Sequence, residues 1–249
     1  MTPIAIVTGA GSGIGKACAQ ALVQEGWTVV FAGRRLQTLE SAIAEMPDPA
    51  QRAVAIACDV GQEASVNALF DQVQQRWGRL DLLFNNAGIS PKATTPDELP
   101  GDVWRQCVDT NLNGMFYCLS AAFRMMRHQN PMGGRIINNG SISASAPRPG
   151  SIAYTATKHA VSGLTKTASL DGRAFDIAVG QIDIGNVASE MTAKMVQGVA
   201  QADGSIRAEP RMDMAAVVST FMAMARLPLT ANVLFTTVMA TKMPFVGRG

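Results

Sequence analysis

A tyrosine and a lysine stand four residues apart at Tyr154 and Lys158, and a serine, Ser141, lies thirteen residues before the tyrosine. The helix-forming run that begins near Ile152 would place the phenol and the ammonium one above the other on one face. A phenol ordinarily titrates at about 10. An ammonium held beside it favours the phenolate, giving an acid/base that is useful near neutral pH. A nearby hydroxyl can then hydrogen-bond the oxygen that gains or loses the proton. A Tyr-x-x-x-Lys pair also arises by chance on many helices, so the weight falls on the elements that must position it.

The 249-residue chain is 47% apolar and 16% charged, the balance of a folded globular protein. Its net charge of +2 is scattered, which gives no basis for a nucleic-acid or membrane partner. Cys18, Cys58, Cys107 and Cys118 show no Cys-x-x-Cys spacing, and His128 and His159 are the only histidines, so no metal site is expected. Three of the cysteines lie in apolar runs, as buried thiols in a reducing compartment would. The opening MTPIAIVTGA has no basic segment or cleavage site and no apolar run reaches membrane-span length, so a soluble cytoplasmic protein is expected.

Strand-like runs end repeatedly in polar or glycine-rich turns. Residues 3–8 lead into GAGSGIG and then a helix ending near Gly26. Strand, glycine turn and helix in this order make a phosphate-binding unit, because the free N–H groups and positive dipole end of the helix attract an anion. The spacing is Gly9-x-x-x-Gly13-x-Gly15, with Ser12 and Ile14 between the glycines. A second strand, 27–32, ends in Gly33-Arg34-Arg35 with no acidic residue nearby. An acid there would hold the ribose 2′-hydroxyl of NAD, whereas arginine accommodates the 2′-phosphate of NADP. Arg34 and Arg35 therefore favour NADP(H), although both can be ordinary solvated residues. Further strands are expected at 53–58 before Asp59, at 80–84 before Asn85-Asn86-Ala87-Gly88, at 135–138 before Ser141, at 177–184 and at 233–239. Helices are expected at 35–45, 62–77, 102–128, 152–172 and 214–226, with one more suggested by Met191, Met195, Val196 and Val199. Alternation of this kind implies a single α/β domain, a doubly wound parallel sheet of about seven strands. Ligands in such Rossmann-type sheets bind beyond the carboxyl ends of the strands. The glycine loop, Arg34, Asp59, Asn85 to Gly88 and Ser141 all fall on that edge. The long segment 186–210 is expected to form a lid over the substrate.

Together these motifs resemble the short-chain dehydrogenase/reductase family over nearly the whole chain. TGAGSGIG, Thr8 to Gly15, is similar to its cofactor fingerprint, and Asp59-Val60 to the pair that meets the adenine ring. NNAG, with Asn86, Ala87 and Gly88, is similar to its sheet-stabilising motif. The resemblance implies a catalytic tetrad of Asn111, Ser141, Tyr154 and Lys158. Asn113 competes with Asn111, but the pattern Asn-x-x-Gly selects Asn111. Ser143 and Ser145 compete with Ser141, and the offset to Tyr154 selects Ser141. By this resemblance Tyr154 exchanges a proton with the substrate oxygen. Lys158 lowers the phenol pKa and holds the ribose hydroxyls, Ser141 orients the carbonyl, and Asn111 positions a water that links Lys158 to solvent. Homodimers or homotetramers built on the helices at 102–128 and 152–172 are also implied.

Three departures fall on the substrate side. Ile184-Gly185 replaces the family's Pro-Gly, which leaves the turn less restrained; Gly185 and Ser189 are nonetheless expected to meet the nicotinamide end. Asn139-Gly140 precedes the serine in place of an apolar residue and another serine. The chain ends MATKMPFVGRG, unlike the family's common Val-Asp-Gly-Gly. Ser90, Ala144, Ser145 and Ile184 are expected to line the pocket with Tyr154, and the absence of charge among them favours a neutral or apolar substrate. The expected function is NADP(H)-favouring interconversion of a carbonyl and an alcohol. The alternatives are the same enzyme using NAD(H), and a dinucleotide-binding sensor or partner protein that has lost catalysis.

Overall fold

The computed structural model describes every residue except 1, 48, 50, 51, 190, 191, 194–196 and 247–249. Seven parallel strands form one sheet: β1 (Ile4–Thr8), β2 (Thr28–Gly33), β3 (Ala53–Ala57), β4 (Leu82–Asn85), β5 (Gly134–Asn139), β6 (Ile177–Ile184) and, last in the chain, β9 (Phe235–Val238). Their spatial order is β3-β2-β1-β4-β5-β6-β9. The order reverses between β1 and β4, the switch point at which such sheets open a crevice for ligand. β1, β4 and β5 are buried at every position; β1 and β4 accordingly read as apolar runs and not as alternating ones, whereas β5 buries Arg135, Asn138 and Asn139 beside its two isoleucines.

Helices cover both faces. α1 (Gly13–Gln24), α2 (Leu36–Ala44) and α7 (Met214–Ala225) lie on one side, where Leu22, Leu39 and Phe221 meet Val7, Phe31 and Phe84. α3 (Glu63–Trp77), α5 (Gly114–His128) and α6 (Ile152–Asp171) lie on the other, around Ile6, Leu69, Leu83, Met126 and Ile136. The single doubly wound sheet expected from the sequence is therefore present.

The run expected as one helix over 102–128 is divided. α4 (Gly101–Val108) passes into α5 through a π-helical turn, Asp109–Asn113, in which the Gly114 N–H reaches back five residues to the Asp109 carbonyl. An inserted residue of this kind leaves no mark on hydrophobic periodicity. The helix suggested by Met191, Met195, Val196 and Val199 is also corrected in part. The first three residues lie outside the described residues, and Val199 belongs to β7 (Val199–Ala200), antiparallel to β8 (Ile206–Arg207).

Candidate active site

The strand carboxyl ends surround a cavity of about 760 Å³. Gly9, Ser12, Gly13, Ile14 and Gly15 line it from the glycine loop, Arg34 from the end of β2, and Asp59 and Val60 from beyond β3. Asn86, Ala87, Gly88 and Ser90 line it from beyond β4, and Ser141, Tyr154 and Lys158 from beyond β5 and from α6. Ile184, Gly185 and Ser189 close the far end. Arg35, Ala144 and Ser145 do not line this cavity. Arg35 occupies the N-cap position of α2. Ser141 is followed by a 3₁₀ turn, Ile142–Ala144, that presents Ser143 to the cavity in place of the two residues after it.

The glycine loop is shaped to receive a phosphate. A Cβ on Gly15 would lie 2.3 Å from the Gly9 carbonyl oxygen and 2.5 Å from Asn86 Nδ2, so only glycine permits this closure. Gly13 has φ +52° and open space where its Cβ would be. Ser12 makes no side-chain cap to α1, which leaves the first N–H groups of that helix for an anion. One amide ties the cradle together. Asn86 Nδ2 donates to the Thr8 carbonyl at 2.8 Å, and its Oδ1 accepts from Asn139 Nδ2 at 2.8 Å. The Thr8 hydroxyl accepts the N–H groups of Asn86 and Ala87, each at 2.9 Å. A dinucleotide fits these residues, since the backbone can approach a pyrophosphate and no side chain fills the space.

The proposed acid/base pair sits on the first two turns of α6. Lys158 is only 3% exposed and donates to the Asn139 carbonyl at 2.6 Å. Burial pulls its ammonium down to about 8, against the partial support of the Asp183 carboxylate. Burial likewise pushes the Tyr154 phenol above its ordinary value, opposed by a hydrogen bond with the Ser141 side chain and by the charge of Arg148. Ser141 Oγ also accepts the Ser143 N–H at 3.1 Å, which fixes its rotamer. Asn111, fully buried in the π turn, does not line the cavity. Its Oδ1 accepts the Ile89 N–H and its Nδ2 donates to the Ile89 carbonyl, both at 2.8 Å. The side chain thus clamps the segment beyond Gly88 and is not aimed at Lys158.

Two features were not legible in the sequence. Arg148, in the loop before α6, faces the cavity and pairs with Glu209, whose side chain is 1% exposed. Asn186 completes the cluster, accepting from Arg148 at 2.9 Å and donating to Glu209 at 2.7 Å. Neither residue lies in a periodic segment, so only the folded chain brings them together. The pocket therefore does contain charge, from Arg148 and Lys92, contrary to the neutral lining expected. The second feature is the Ile184-Gly185 turn. Ile184 is 7% exposed and packed in the core on the α7 side. The Gly185 N–H donates to Val238 at 2.8 Å, and a Cβ there would meet Met239 Cβ at 2.6 Å. Packing against the end of β9 supplies the restraint that a proline ring would otherwise give.

All four cysteines are buried as free thiols. Among the described residues no His, Cys, Asp and Glu cluster could hold a metal ion, and no helix is long and apolar enough to cross a membrane.

Comparison with known proteins agrees with this geometry. The short chain dehydrogenase family matches residues 3–200. A 3beta-hydroxysteroid dehydrogenase of Mediterraneibacter gnavus is 41% identical over 168 residues, which are 68% of this chain and 60% of that protein's length. The structure of acetoin dehydrogenase YohF from Salmonella typhimurium superposes with a TM-score of 0.81 at 29% identity, covering 96% of this chain and 95% of that one. Actinorhodin polyketide ketoreductase with NADPH superposes at 0.84 with 26% identity, covering 95% of each chain. By the family match over residues 3–200, the chain belongs to the short-chain dehydrogenase/reductase family of Rossmann-fold oxidoreductases.

Proposed function

We propose that the protein interconverts a carbonyl and an alcohol, with a nicotinamide dinucleotide lying along the strand carboxyl edge and NADP(H) preferred over NAD(H). The observation that carries this reading is that Ser141, Tyr154 and Lys158 line the same continuous cavity as the glycine loop and Arg34. A bound nicotinamide would supply or accept hydride there. Tyr154 gives its phenolic proton to the substrate oxygen in reduction and takes it back in oxidation. Ser141, held by the Ser143 N–H, donates its hydroxyl to the same oxygen and stabilises developing charge. Lys158 favours the phenolate by its charge and stands where ribose hydroxyls would pass. Asn111 acts through the Ile89 main chain, which sets the wall beyond Gly88. Any water it holds for proton return is held from the π turn.

Arg34 supports the NADP(H) preference, because it faces the cavity where a 2′-phosphate would lie and no acidic side chain competes. Arg35 contributes no lining group. The pocket is read as taking a neutral substrate, since the Arg148 charge is already matched by Glu209 and the second cation, Lys92, is solvent-exposed. The 186–210 segment, clipped to the Arg148 loop through Glu209 and Asn186, serves as the substrate-side cover. A homodimer or homotetramer is proposed through the exposed face of α5 and α6, where Phe116, Leu119, Phe123 and Leu164 line an apolar cavity of about 610 Å³. Sedimentation at the 26.3 kDa chain mass alone would count against it. The non-catalytic reading is disfavoured because no member of the tetrad is lost.

The test is Tyr154→Phe. The variant should bind NADPH as the parent does while losing turnover on a carbonyl and alcohol panel. Retained turnover would remove Tyr154 from the reaction.

A further inference from the structure

The α6 face of β5 and β6 carries a continuous polar chain that no step above uses. Asn138 donates to the Thr165 hydroxyl at 2.9 Å, and Thr165 lies 2.8 Å from Gln181 Oε1. Gln181 Nε2 donates to the Ser162 hydroxyl at 3.1 Å and to Asp183 Oδ1 at 2.8 Å. The chain ends at the site, where Asp183 Oδ1 accepts the main-chain N–H of Ser141 at 2.9 Å. A Cβ on Gly140 would stand 2.0 Å from that same oxygen and 2.6 Å from Gln181 Nε2. Gly140 and Asp183 are thus a matched pair: the unusual Asn139-Gly140 before the serine is what admits a carboxylate under the catalytic turn.

We propose that Asp183 is a positioning residue of the catalytic centre, anchoring the Ser141 main chain and supplying the negative charge that keeps the buried Lys158 ammonium protonated. The inference rests on the reading of Tyr154 and Lys158 as the acid/base pair. The alternation of β6 gives it a geometric reason. Ile182 and Ile184 enter the core on the α7 side, so Gln181 and Asp183 must face α6, where Lys158 and Tyr154 lie. The ionisable groups around the carboxylate come from three elements. Lys158 and Tyr154 on α6 both feel its charge. Cys107 on α4 acts on the same pair, and Arg148 in the loop before α6 acts on Tyr154. Burial pushes the Cys107 thiol above its ordinary value. Lys158 and Arg148 are the two cations, and Arg148 is matched by Glu209. Among the described residues Lys158 hydrogen-bonds a neutral carbonyl, and Asp183 is the carboxylate whose charge acts on it. Burial raises the Asp183 carboxyl, while Gln181, the Ser141 N–H and Lys158 draw it back towards the ionised form.

The experiment compares Asp183→Asn with the parent. Asparagine keeps the shape and an acceptor for the Ser141 N–H but loses the charge. Removing a negative charge lowers the pKa of every titrating neighbour, so the pH profile of dinucleotide-dependent alcohol oxidation should move to lower pH by about one unit. A second readout needs no turnover. In protein labelled with ¹³C at lysine Cε, with the Lys158 signal assigned by its loss in Lys158→Met, Lys158 should titrate near 8 in the parent. It should titrate about one unit lower in Asp183→Asn. If asparagine disturbs folding, Asp183→Ala removes the same charge without a new clash and should give the same fall. A Lys158 titration that is unchanged or raised in a folded variant overturns the proposal. Turnover surviving in Tyr154→Phe would instead sink the acid/base reading, and the Lys158 titration would still report on Asp183.

Discussion

Lys158 Nζ lies 5.6 Å from the centroid of the Tyr154 ring while it donates to the Asn139 carbonyl at 2.6 Å. The ammonium is therefore anchored to the end of β5 and faces the phenol. The two groups are shifted by the same burial in opposite directions, the tyrosine up and the lysine down to about 8. Both shifts favour neutral forms, so burial sets a tension against the charged lysine.

That tension predicts a stability gain on removing the lysine. The folded-state pKa of Lys158 lies below its unfolded value, so the folded protein binds fewer protons between about 8 and 10.5. Stability from this group accordingly rises with pH across that window and is lowest below it. At pH 7 the penalty has an upper bound of about 3 kcal/mol, offset by about 1 kcal/mol for the lost hydrogen bond to Asn139. Lys158→Met should raise the melting temperature by roughly 3–6 °C at pH 7. The gain should shrink towards pH 10. A lower melting temperature at pH 7 would show that the hydrogen bond outweighs the buried charge.

The raised phenol sets the direction of the pH–rate profiles. Carbonyl reduction needs Tyr154 protonated, so its rate should hold through neutral pH and fall on the alkaline side. Alcohol oxidation needs the phenolate and should rise with pH over the same limb. Initial rates in both directions between pH 6 and 10 would check the opposed slopes.

The glycine loop separates two kinds of defect. Gly15→Ala drives a methyl into the Gly9 carbonyl and the Asn86 amide, so it should lose dinucleotide binding and stability together. Gly13→Ala meets no protein atom but places an L residue at φ +52° and a methyl where phosphate would lie. It should cost about 1–2 kcal/mol in stability and weaken binding with the rest of the fold intact. Thermal melts and NADPH fluorescence titrations distinguish the two.

Arg34→Ala should weaken NADPH binding by about tenfold or more while leaving NADH nearly unchanged, since a charge-assisted contact to phosphate contributes about 1.5–3 kcal/mol. Equal losses for both dinucleotides would assign Arg34 to folding and not to the 2′-phosphate.

Glu209→Gln leaves Arg148 without its buried counter-charge. Breaking a buried pair on one side typically costs about 3–5 kcal/mol. The variant should melt earlier, and KM should rise more than kcat falls, because the Arg148 loop loses its tie to Glu209 while Ser141 and Tyr154 stay in place. A fall in kcat at constant KM would move Arg148 into the chemistry.

The sheet was readable because parallel strands are buried on both faces and most of these end beside a glycine, asparagine or aspartate. The Tyr154 and Lys158 pairing was readable because the two are neighbours in sequence and on one helix. What stayed hidden depends on side chains meeting across the fold. Glu209 is an ordinary acidic residue until the chain folds it onto Arg148, and Asp183 looks like a strand-end polar residue until Gly140 makes room for it. The π turn at Asp109–Asn113 escaped for a different reason. A helix with one extra residue keeps its composition, and only the hydrogen bonds change. Ala144 and Ser145 were placed in the pocket by counting along the chain, whereas the 3₁₀ turn rotates Ser143 there instead.

The Asn86 amide, joined to Thr8 on one side and to Asn139 on the other, has a consequence for the thermodynamics of ligand capture. Three strand ends are locked before any dinucleotide arrives, so little conformational entropy remains to be lost there on binding. Dinucleotide association should therefore behave as docking onto a rigid surface.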